Sequence, residues 1–329
     1  MVTQQDVADR AGVGRRTVSH VVTGFPHVSP DVRARVLRAI DELGYVPNRV
    51  AQQLRTGRSG VIALTVPEIG VGYFGELGTL VVEEAAARGL GTLVAQTRGS
   101  RERELAELER IIALQPDGVI MSPLGLTAAD VAAIAARTSV TLIGEHFVGR
   151  ERGGVGAPVA IDNTAAASEL VGHLASTGRR RIAYLGMASD AAPRFDVLRR
   201  QGARAGRDAA GLEPLDDIAV NDYTWQDGYD AGREAARRAA GGELDAVFCV
   251  TDEVAIGVMR ALHDAGLSIP RDIAVAGFDD IPEGRFANPR LTTVAPDKAE
   301  LARRAVAAVL GEPAPASAVP HRVIPREST

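Results

Sequence analysis

The chain has 329 residues, of which 46% are hydrophobic and 24% charged, so it is long enough to form two sizeable cores. No apolar run approaches the length of a membrane span, and the start M-V-T-Q-Q-D lacks the basic and apolar regions of a secretory signal. The single cysteine, Cys249, cannot form an internal disulfide. These features exclude a disulfide-stabilised secreted domain and predict a cytoplasmic protein without membrane contact.

Charge is distributed unevenly along the chain. Residues 1–58 carry nine Arg against five acidic residues, a net charge of +4, whereas the remainder has a net charge of −9. This asymmetry is expected when only one end of a protein contacts phosphate groups.

The first predicted elements are two short helices joined by a tight turn. Thr3 can cap the first helix, with Asp6 three residues later as in a capping box. The A-G-V-G stretch that follows is too rich in glycine to continue it. The second helix begins at Arg15 and carries apolar residues at i, i+3 and i+4: Val18, Val21 and Val22. Basic and hydrogen-bonding side chains remain on its outer face: Arg15, Arg16, Ser19 and His20. This pattern is typical of a helix-turn-helix whose second helix enters a major groove.

A third helix and a short segment complete the N-terminal part. Ser29-Pro30 is a good helix start, and Gly44 ends the apolar periodicity. Pro47 then prevents the third helix from continuing. The segment from Asn48 to Arg55 predicts a helix of two turns, which is too short to be stable alone. Such a helix orders only when a partner packs on it. We therefore expect a DNA-binding domain at 1–46, a hinge helix and linker at 47–58, and a further domain at 59–329.

From residue 61 onward, short apolar strands alternate with helices. The predicted strands are Val61–Val66, Thr92–Gln96, Gly118–Met121, Thr141–Gly144, Ile182–Gly186, Ile218–Val220, Ala246–Val250 and Ile273–Gly277. Helical patterns lie between them, as at Leu77–Arg88, Glu102–Leu114, Ala165–Ser176 and Glu253–Ala265. The alternation predicts an α/β body of two doubly wound parallel-sheet halves, with ligands bound at the carboxyl ends of the strands.

The N-terminal segment resembles the lactose- and purine-repressor (LacI/GalR-type) family of bacterial transcriptional regulators. The resemblance rests on D-V-A-D-R-A-G-V-G-R-R-T-V-S-H-V-V, followed by H-V-S and Y-V-P-N-R-V-A-Q-Q-L. It implies a recognition helix in the major groove and hinge helices of a dimer in the minor groove, with Leu54 as a wedge between base pairs. The DNA-contacting residues it implies are Thr3, Arg15, Arg16, Thr17, Ser19, His20, His27, Asn48, Ala51, Gln52 and Leu54.

Alternatives remain open for several of these residues. Arg15 and Arg16 can read guanine through a bidentate contact or can bind phosphates only. Leu54 can be a packing residue of a continuous interdomain helix, and His20 and His27 can be ordinary surface imidazoles. Gly14 stands where a capping Ser, Thr or Asp is expected, so the recognition helix is less well capped than the family pattern.

The family order continues through the body in V-A-I-D-N, G-R-R-R-I-A-Y-L-G, V-T-D-E-V-A-I-G, V-A-G-F-D-D-I and L-T-T-V. It implies a periplasmic-binding-protein-like body, with an N-subdomain of about 59–160 plus 293–320 and a C-subdomain of about 161–292 plus 321–329. The effector-binding residues it implies are Tyr73, Phe74, Glu145, Arg194, Arg199, Tyr223, Trp225, Asp252 and Asp279. An aromatic face with carboxylates and guanidinium groups suits a sugar. Trp225 can instead pack between domains, Asp252 can cap the following helix, and Arg194 can be solvated.

One motif suggests a different function. Gly70 to Gly75 spell G-x-G-x-x-G after a strand and before a helix, as in dinucleotide-binding enzymes. However, three residues separate the strand from the first glycine, and the next strand ends at Ala95-Gln96 without a carboxylate for a ribose. A nicotinamide-dependent dehydrogenase therefore remains only an alternative.

The sequence thus predicts a regulator, not an enzyme. We expect a repressor that responds to a small effector, most readily a sugar. No leucine heptads follow P-R-E-S-T, so we expect a homodimer without a tetramer-forming extension. A two-fold symmetric dimer predicts a palindromic operator. No cofactor is expected, and the remaining histidines lack metal-ligand spacing. A sugar-binding protein without gene control is the second alternative.

Overall fold

The computed structural model describes residues 2–22, 25–46, 57–148, 151–188, 192–313, 315 and 317–329. It divides into two compact units, residues 1–59 and 60–329. The predicted hinge helix, Asn48 to Arg55, lies outside the described residues.

The described residues of the N-terminal unit contain three helices, α1 (Gln4–Ala11), α2 (Arg15–Val22) and α3 (Pro30–Leu43). Thr3 and Asp6 form the predicted capping box, in which the Thr3 amide donates to Asp6 Oδ2 at 2.7 Å. Gly12 ends α1 with a left-handed φ of 64°, a conformation that glycine adopts without strain. Small and β-branched side chains from all three helices make its core: Val7, Ala8, Ala11, Val18, Val21, Val36 and Ala39.

The C-terminal unit alternates strands and helices, as the sequence predicts. Its strands are β1 (Val61–Val66), β2 (Gly91–Gln96), β3 (Gly118–Met121), β4 (Val140–Leu142), β5 (Ile182–Met187), β6 (Ile218–Val220), β7 (Ala246–Cys249), β8 (Ala274–Phe278), β9 (Thr292–Pro296) and β10 (His321–Ile324). Its helices are α4 (Gly72–Ala87), α5 (Arg101–Ala113), α6 (Ala128–Ala135), α7 (Asn163–Ser176), α8 (Arg194–Ala209), α9 (Trp225–Ala240), α10 (Asp252–Asp264), α11 (Pro282–Phe286) and α12 (Lys298–Val309). The eight predicted strands are all present, with bounds that differ by at most two residues.

These strands form two sheets in which neighbouring strands are parallel, except at one edge of the second sheet. The first sheet has the order β2-β1-β3-β4, and the second has the order β10-β9-β8-β7-β5-β6, with β10 antiparallel to β9. Helices cover both faces, so β1, β3, β7 and β8 are almost wholly buried. The fold is therefore the predicted two-sheet α/β body.

One predicted boundary needs correction. The family resemblance implied a return to the N-subdomain at about residue 293, but β9 pairs in parallel with β8 in the second sheet. Its buried Thr292 and Thr293 do not form the apolar run that predicts a buried strand, so periodicity missed it. The return comes after Pro296, because α12 packs against α4 and the first sheet.

Glycines allow two helix pairs of the second sheet to approach closely. A Cβ at Gly257 on α10 would lie 2.1 Å from the carbonyl oxygen of Trp225 and 2.6 Å from the amide nitrogen of Tyr229, both on α9. A Cβ at Gly202 on α8 would lie 2.2 Å from the carbonyl oxygen of Thr164 on α7. Backbone atoms cannot move aside as a side chain can, so these crossings require glycine.

Gly257→Ala is expected to lower the free energy of unfolding by about 1–3 kcal/mol, because α9 and α10 must separate to admit the methyl group. The matched control is Gly172→Ala in α7, where nothing lies within 4 Å of the added Cβ. There the higher helix propensity of alanine should raise stability by about 0.5–1 kcal/mol. Urea unfolding of the two variants beside wild type measures both effects. Equal effects of the same sign would contradict the close-packing argument.

Candidate nucleic-acid interface and effector cavity

The outer face of α2 carries the side chains predicted to contact DNA. Arg15 and Arg16 are exposed in its first turn, while Thr17, Ser19 and His20 are half-buried. The core side of the same helix buries Val18. The helix therefore presents two guanidinium groups at its start and shorter hydrogen-bonding groups beside them.

The other predicted DNA contacts divide into described and undescribed residues. The Thr3 hydroxyl belongs to the α1 capping box, donating to Asp6 Oδ2 at 2.8 Å, so it has a structural role whatever else it contacts. His27 is exposed in the loop before α3. Asn48, Ala51, Gln52 and Leu54 lie outside the described residues.

A cavity of about 270 Å³ opens in the C-terminal unit at the carboxyl ends of strands from both sheets. Seven of the nine predicted effector residues line it: Tyr73, Phe74, Glu145, Arg194, Arg199, Tyr223 and Asp279. The first turn of α4 supplies two of them and α8 two more, whereas Asp279 directly follows β8 and Glu145 lies three residues after β4. The strand-end location is the one expected for ligands of doubly wound sheets.

Arg199 is the best-anchored side chain of the cavity. Its Nε donates to Asn163 Oδ1 at 2.7 Å, one terminal nitrogen to the Val250 carbonyl at 2.7 Å, and the other to Asp279 Oδ1 at 3.0 Å. The guanidinium also lies 3.6 Å from the ring centroid of Phe278. A guanidinium has five N–H groups, so two remain available to a ligand.

The charges around Arg199 favour its ionised form. Burial lowers the pKa of Arg199, but the carboxylates of Asp279 and Glu145 outweigh burial, so its pKa lies above the usual range. Burial raises the pKa of Glu145, and the neighbouring Arg199 offsets only part of that rise. The Arg199 guanidinium is thus a fixed set of N–H donors beside carboxyl oxygens, a combination whose chemistry suits hydroxyl groups.

Asp279 follows β8 in a strained turn. It has a φ of 109° and Asp280 one of 49°, values that residues other than glycine rarely adopt. Lys298 Nζ donates to the carbonyls of both residues, at 2.9 and 3.1 Å, and Arg285 donates to Asp280 Oδ2 at 2.9 Å. Strain held in place by several contacts is characteristic of ligand-binding positions.

Aromatic rings form the apolar wall of the cavity. Tyr73 and Phe74 meet edge to face with centroids 5.2 Å apart, and Phe195 and Tyr223 lie 5.1 Å apart. The Tyr223 hydroxyl donates to Asp196 Oδ2 at 2.9 Å, which fixes its ring. Apolar faces beside fixed polar groups suit a compact ligand with C–H surfaces and hydroxyls.

Two predicted effector residues are not part of the cavity lining. Trp225 begins α9 with 52% of its surface exposed, outside the cavity. Asp252 is fully buried beneath the site, where it accepts from the Ile281 amide at 2.9 Å and the Thr293 hydroxyl at 2.7 Å. Its role is to hold β9 and the segment after β8, and burial raises its pKa well above the usual range.

Sequence reasoning missed other lining residues, of which Glu253 is the most informative. Glu253 is the residue after the predicted Asp252, and its Oε1 accepts from the Gly72 amide of α4 at 3.2 Å. Burial, with a smaller contribution from Asp279, raises its pKa to about 7. Further lining residues carry polar or aromatic groups: Arg98, Ser122, His146, Phe195, Asp222 and Thr251.

Glu253→Gln is expected to alter the pH dependence of stability. The pKa of Glu253 rises from 4.5 to about 7 on folding, so the unfolded chain loses this proton first and wild-type stability falls as pH rises through this range. Glutamine keeps an oxygen for the Gly72 amide and has no such cost. Between pH 5 and 8 the variant should therefore gain about 2–3 kcal/mol relative to wild type, as urea unfolding at both pH values would show. A stability difference that is independent of pH would contradict the assignment.

Comparison with known proteins decides the family. Residues 3–48 match the description "Bacterial regulatory proteins, lacI family", and residues 171–329 match "Periplasmic binding protein-like domain". The HTH-type transcriptional regulator CelR of Thermobifida fusca is 36% identical, over 89% of this chain and 86% of that protein. The chain belongs to the LacI family of bacterial transcriptional regulators.

Solved structures of LacI-family members agree with this assignment over the whole chain. A CelR–cellobiose complex is 31% identical, covers 100% of both chains and superposes with a TM-score of 0.69. A lac repressor dimer bound to operator and the anti-inducer ONPF is 25% identical, covers 99% of this chain and 98% of that one, and has a TM-score of 0.81. The predicted family and two-part fold are confirmed.

The family assignment also removes the dehydrogenase alternative. The relatives are transcriptional regulators and not enzymes, so the glycine-rich stretch from Gly70 to Gly75 belongs to the loop and first turn of α4. Among the described residues, no group of three or more His, Cys, Asp or Glu side chains is arranged to hold a metal ion. Within the same residues, no helix has both the length and the apolar character needed to span a bilayer.

Proposed function

We propose that this LacI-family regulator is a repressor that binds a palindromic operator as a homodimer and is controlled by a sugar in the cavity. The observation that supports the sugar most directly is the Arg199–Asp279 pair, fixed at 3.0 Å beside the aromatic wall. A guanidinium and a carboxylate side by side can donate to and accept from adjacent hydroxyls, while the rings cover C–H faces. The solved structure of a CelR–cellobiose complex supports the same ligand class.

On the DNA side, α2 is the proposed recognition helix. Arg15 and Arg16 at its start are proposed to contact guanine edges, with His20 one turn further on and with Thr17 and Ser19 proposed to contact phosphates. The family resemblance adds the hinge residues: Asn48, Ala51, Gln52 and Leu54. A duplex contacted in both grooves follows from this assignment.

Dimerisation is proposed on the family architecture and on the edge of the first sheet. β2 is an edge strand of that sheet, and the surface of Val94 on it is 36% exposed. The surface of Val82 on α4 is 41% exposed. Half-exposed apolar residues at a sheet edge are candidates for an interface. With the lac repressor crystallised as an operator-bound dimer, a two-fold symmetric operator and a cytoplasmic location are the economical expectations.

Effector control is proposed to act through the contacts that cross the cavity. Glu253 of α10 accepts from Gly72 at the start of α4, and Lys298 joins Glu76 of α4 to the carbonyls of Asp279 and Asp280. A ligand that binds between these elements changes the relative free energies of open and closed subdomains. That difference is the only quantity by which the ligand can alter operator affinity.

The proposal is tested by selecting duplexes from a random pool with the full-length protein, with and without each member of a saccharide panel. The panel includes cellobiose, ribose, galactose and gluconate, and a thermal-shift screen identifies which of them binds. We expect one palindromic motif and one saccharide that changes its enrichment. If no motif were enriched under any of these conditions, the proposal would be contradicted.

A further inference from the structure

Phe25 occupies an unusual position in the N-terminal unit. It is a large apolar residue with 42% of its surface exposed, and it does not belong to the core formed by α1, α2 and α3. Its backbone is nevertheless fixed at both polar atoms. The Phe25 amide donates to the His20 carbonyl at 2.9 Å, and Arg33 of α3 donates to the Phe25 carbonyl at 2.7 Å.

The Phe25 ring lies between two imidazoles. Its centroid is 4.6 Å from that of His20, with the planes tilted by 34°, and 5.4 Å from that of His27, edge to face at 73°. His20 lies in the last turn of the proposed recognition helix, and His27 precedes α3. One phenyl ring thus connects two hydrogen-bonding side chains from separate segments.

We propose that Phe25 is a positioning residue for DNA recognition, which orients the imidazoles of His20 and His27 toward the duplex. The inference rests on the proposed DNA contacts of α2. An imidazole forms directional hydrogen bonds through two ring nitrogens, so its value for base recognition depends on the ring plane being fixed before binding. Packing of the Phe25 ring against each imidazole, tilted for His20 and edge to face for His27, restricts the rotation of both planes.

The alternative roles for Phe25 explain less of the geometry. A stabilising core residue would be buried among Val7, Val18 and Val36, but Phe25 is outside that cluster. If residue 25 only closed the loop, its two backbone hydrogen bonds would be sufficient. Those hydrogen bonds do not depend on the type of side chain. The two ring contacts are the feature that requires an aromatic residue.

The experiment compares wild type, Phe25→Ala, Phe25→Leu and Phe25→Tyr on the selected motif and on a shuffled duplex. Alanine and leucine should weaken binding to the selected motif about tenfold and leave binding to the shuffled duplex within about twofold, because only oriented base contacts are lost. Tyrosine keeps the ring and should retain wild-type preference. Leucine keeps apolar bulk, so it separates loss of the ring from loss of packing. Leu37→Ala on α3, which removes another exposed apolar side chain, is the matched control and should change neither affinity.

A mutant cycle in a His20→Ala/His27→Ala background shows whether Phe25 acts through its two neighbours. If it does, Phe25→Ala should cost little further affinity in that background. Full additivity, or equal losses on the selected and shuffled duplexes, would overturn the inference. A wild-type protein that selects no motif would instead refute the proposed function, so the two failures are distinguishable.

Discussion

Replacing Arg15 and Arg16 together by alanine is expected to abolish the preference of the protein for its operator over other duplexes. Both side chains are exposed in the first turn of α2, the turn that faces base edges in a helix-turn-helix. Each bidentate guanine contact contributes about 1–3 kcal/mol, so losing two should weaken operator binding by roughly 10²–10⁴-fold. Fluorescence anisotropy with operator and shuffled duplexes measures the difference.

The single variants distinguish base contacts from phosphate contacts. An arginine that reads a base should lose discrimination at one position of the operator. An arginine that binds only phosphate should weaken all duplexes alike and reduce the slope of log affinity against log salt by about one. Arg10→Ala is the control, because Arg10 is an exposed arginine of the same unit that pairs with Glu42 at 2.5 Å. If Arg10→Ala matched the double variant, general charge and not the α2 face would account for binding.

The helices of the N-terminal unit could be predicted because their signals are local. The apolar spacing of Val18, Val21 and Val22 and the Thr3–Asp6 cap act within one or two turns, and the structure places both as expected. The strands of the body were equally predictable from short apolar runs. β9 was not, because the buried Thr292 and Thr293 satisfy their hydroxyls through partners distant in sequence, Arg326 and Asp252. A polar residue that is buried with its partner has no periodic signature.

The cavity was predictable in outline but not residue by residue. A strand end identifies the edge of the sheet, but the geometry of the next turn decides which of two adjacent side chains faces the ligand. Asp252 therefore points into the protein, whereas Glu253 beside it lines the cavity. Trp225 suits a sugar by chemistry, but α9 begins at that residue and leaves its ring exposed. Neither outcome could be read from the sequence without the tertiary contacts.

The strained backbone at Asp279 and Asp280 also depends on tertiary contacts. Nothing in G-F-D-D-I marks two consecutive residues with positive φ, and local propensity alone argues against them. They persist because distant groups hold them: Lys298 bonds both carbonyls, and Arg326 pairs with Asp280 from the C-terminal end of the chain. The conformation that positions the Asp279 carboxylate is therefore a property of the assembled fold.

Asp279→Asn is expected to move the response to much higher effector concentrations while operator binding without effector is retained. The carboxylate is the charged partner of Arg199 at 3.0 Å, and asparagine keeps its shape but not its charge. A hydrogen bond to a charged group contributes about 1.5–3 kcal/mol, so effector affinity should fall by roughly 10–150-fold. The measurement is a titration of the saccharide that binds wild type, followed by thermal shift and by operator release.

Stability must be followed in the same experiment, because removing one charge of a buried pair is itself destabilising by about 3–5 kcal/mol. Glu145 remains near Arg199 and compensates part of that cost, so we expect a folded variant with a lower melting temperature. Trp225→Ala is the matched control: it alters a side chain that sequence reasoning assigned to the site and the structure places outside it. Wild-type effector affinity in Asp279→Asn, or a loss of affinity in Trp225→Ala as large as that expected for Asp279→Asn, would show that the effector binds elsewhere. The opposite pair of results would tie the response to the strained turn after β8.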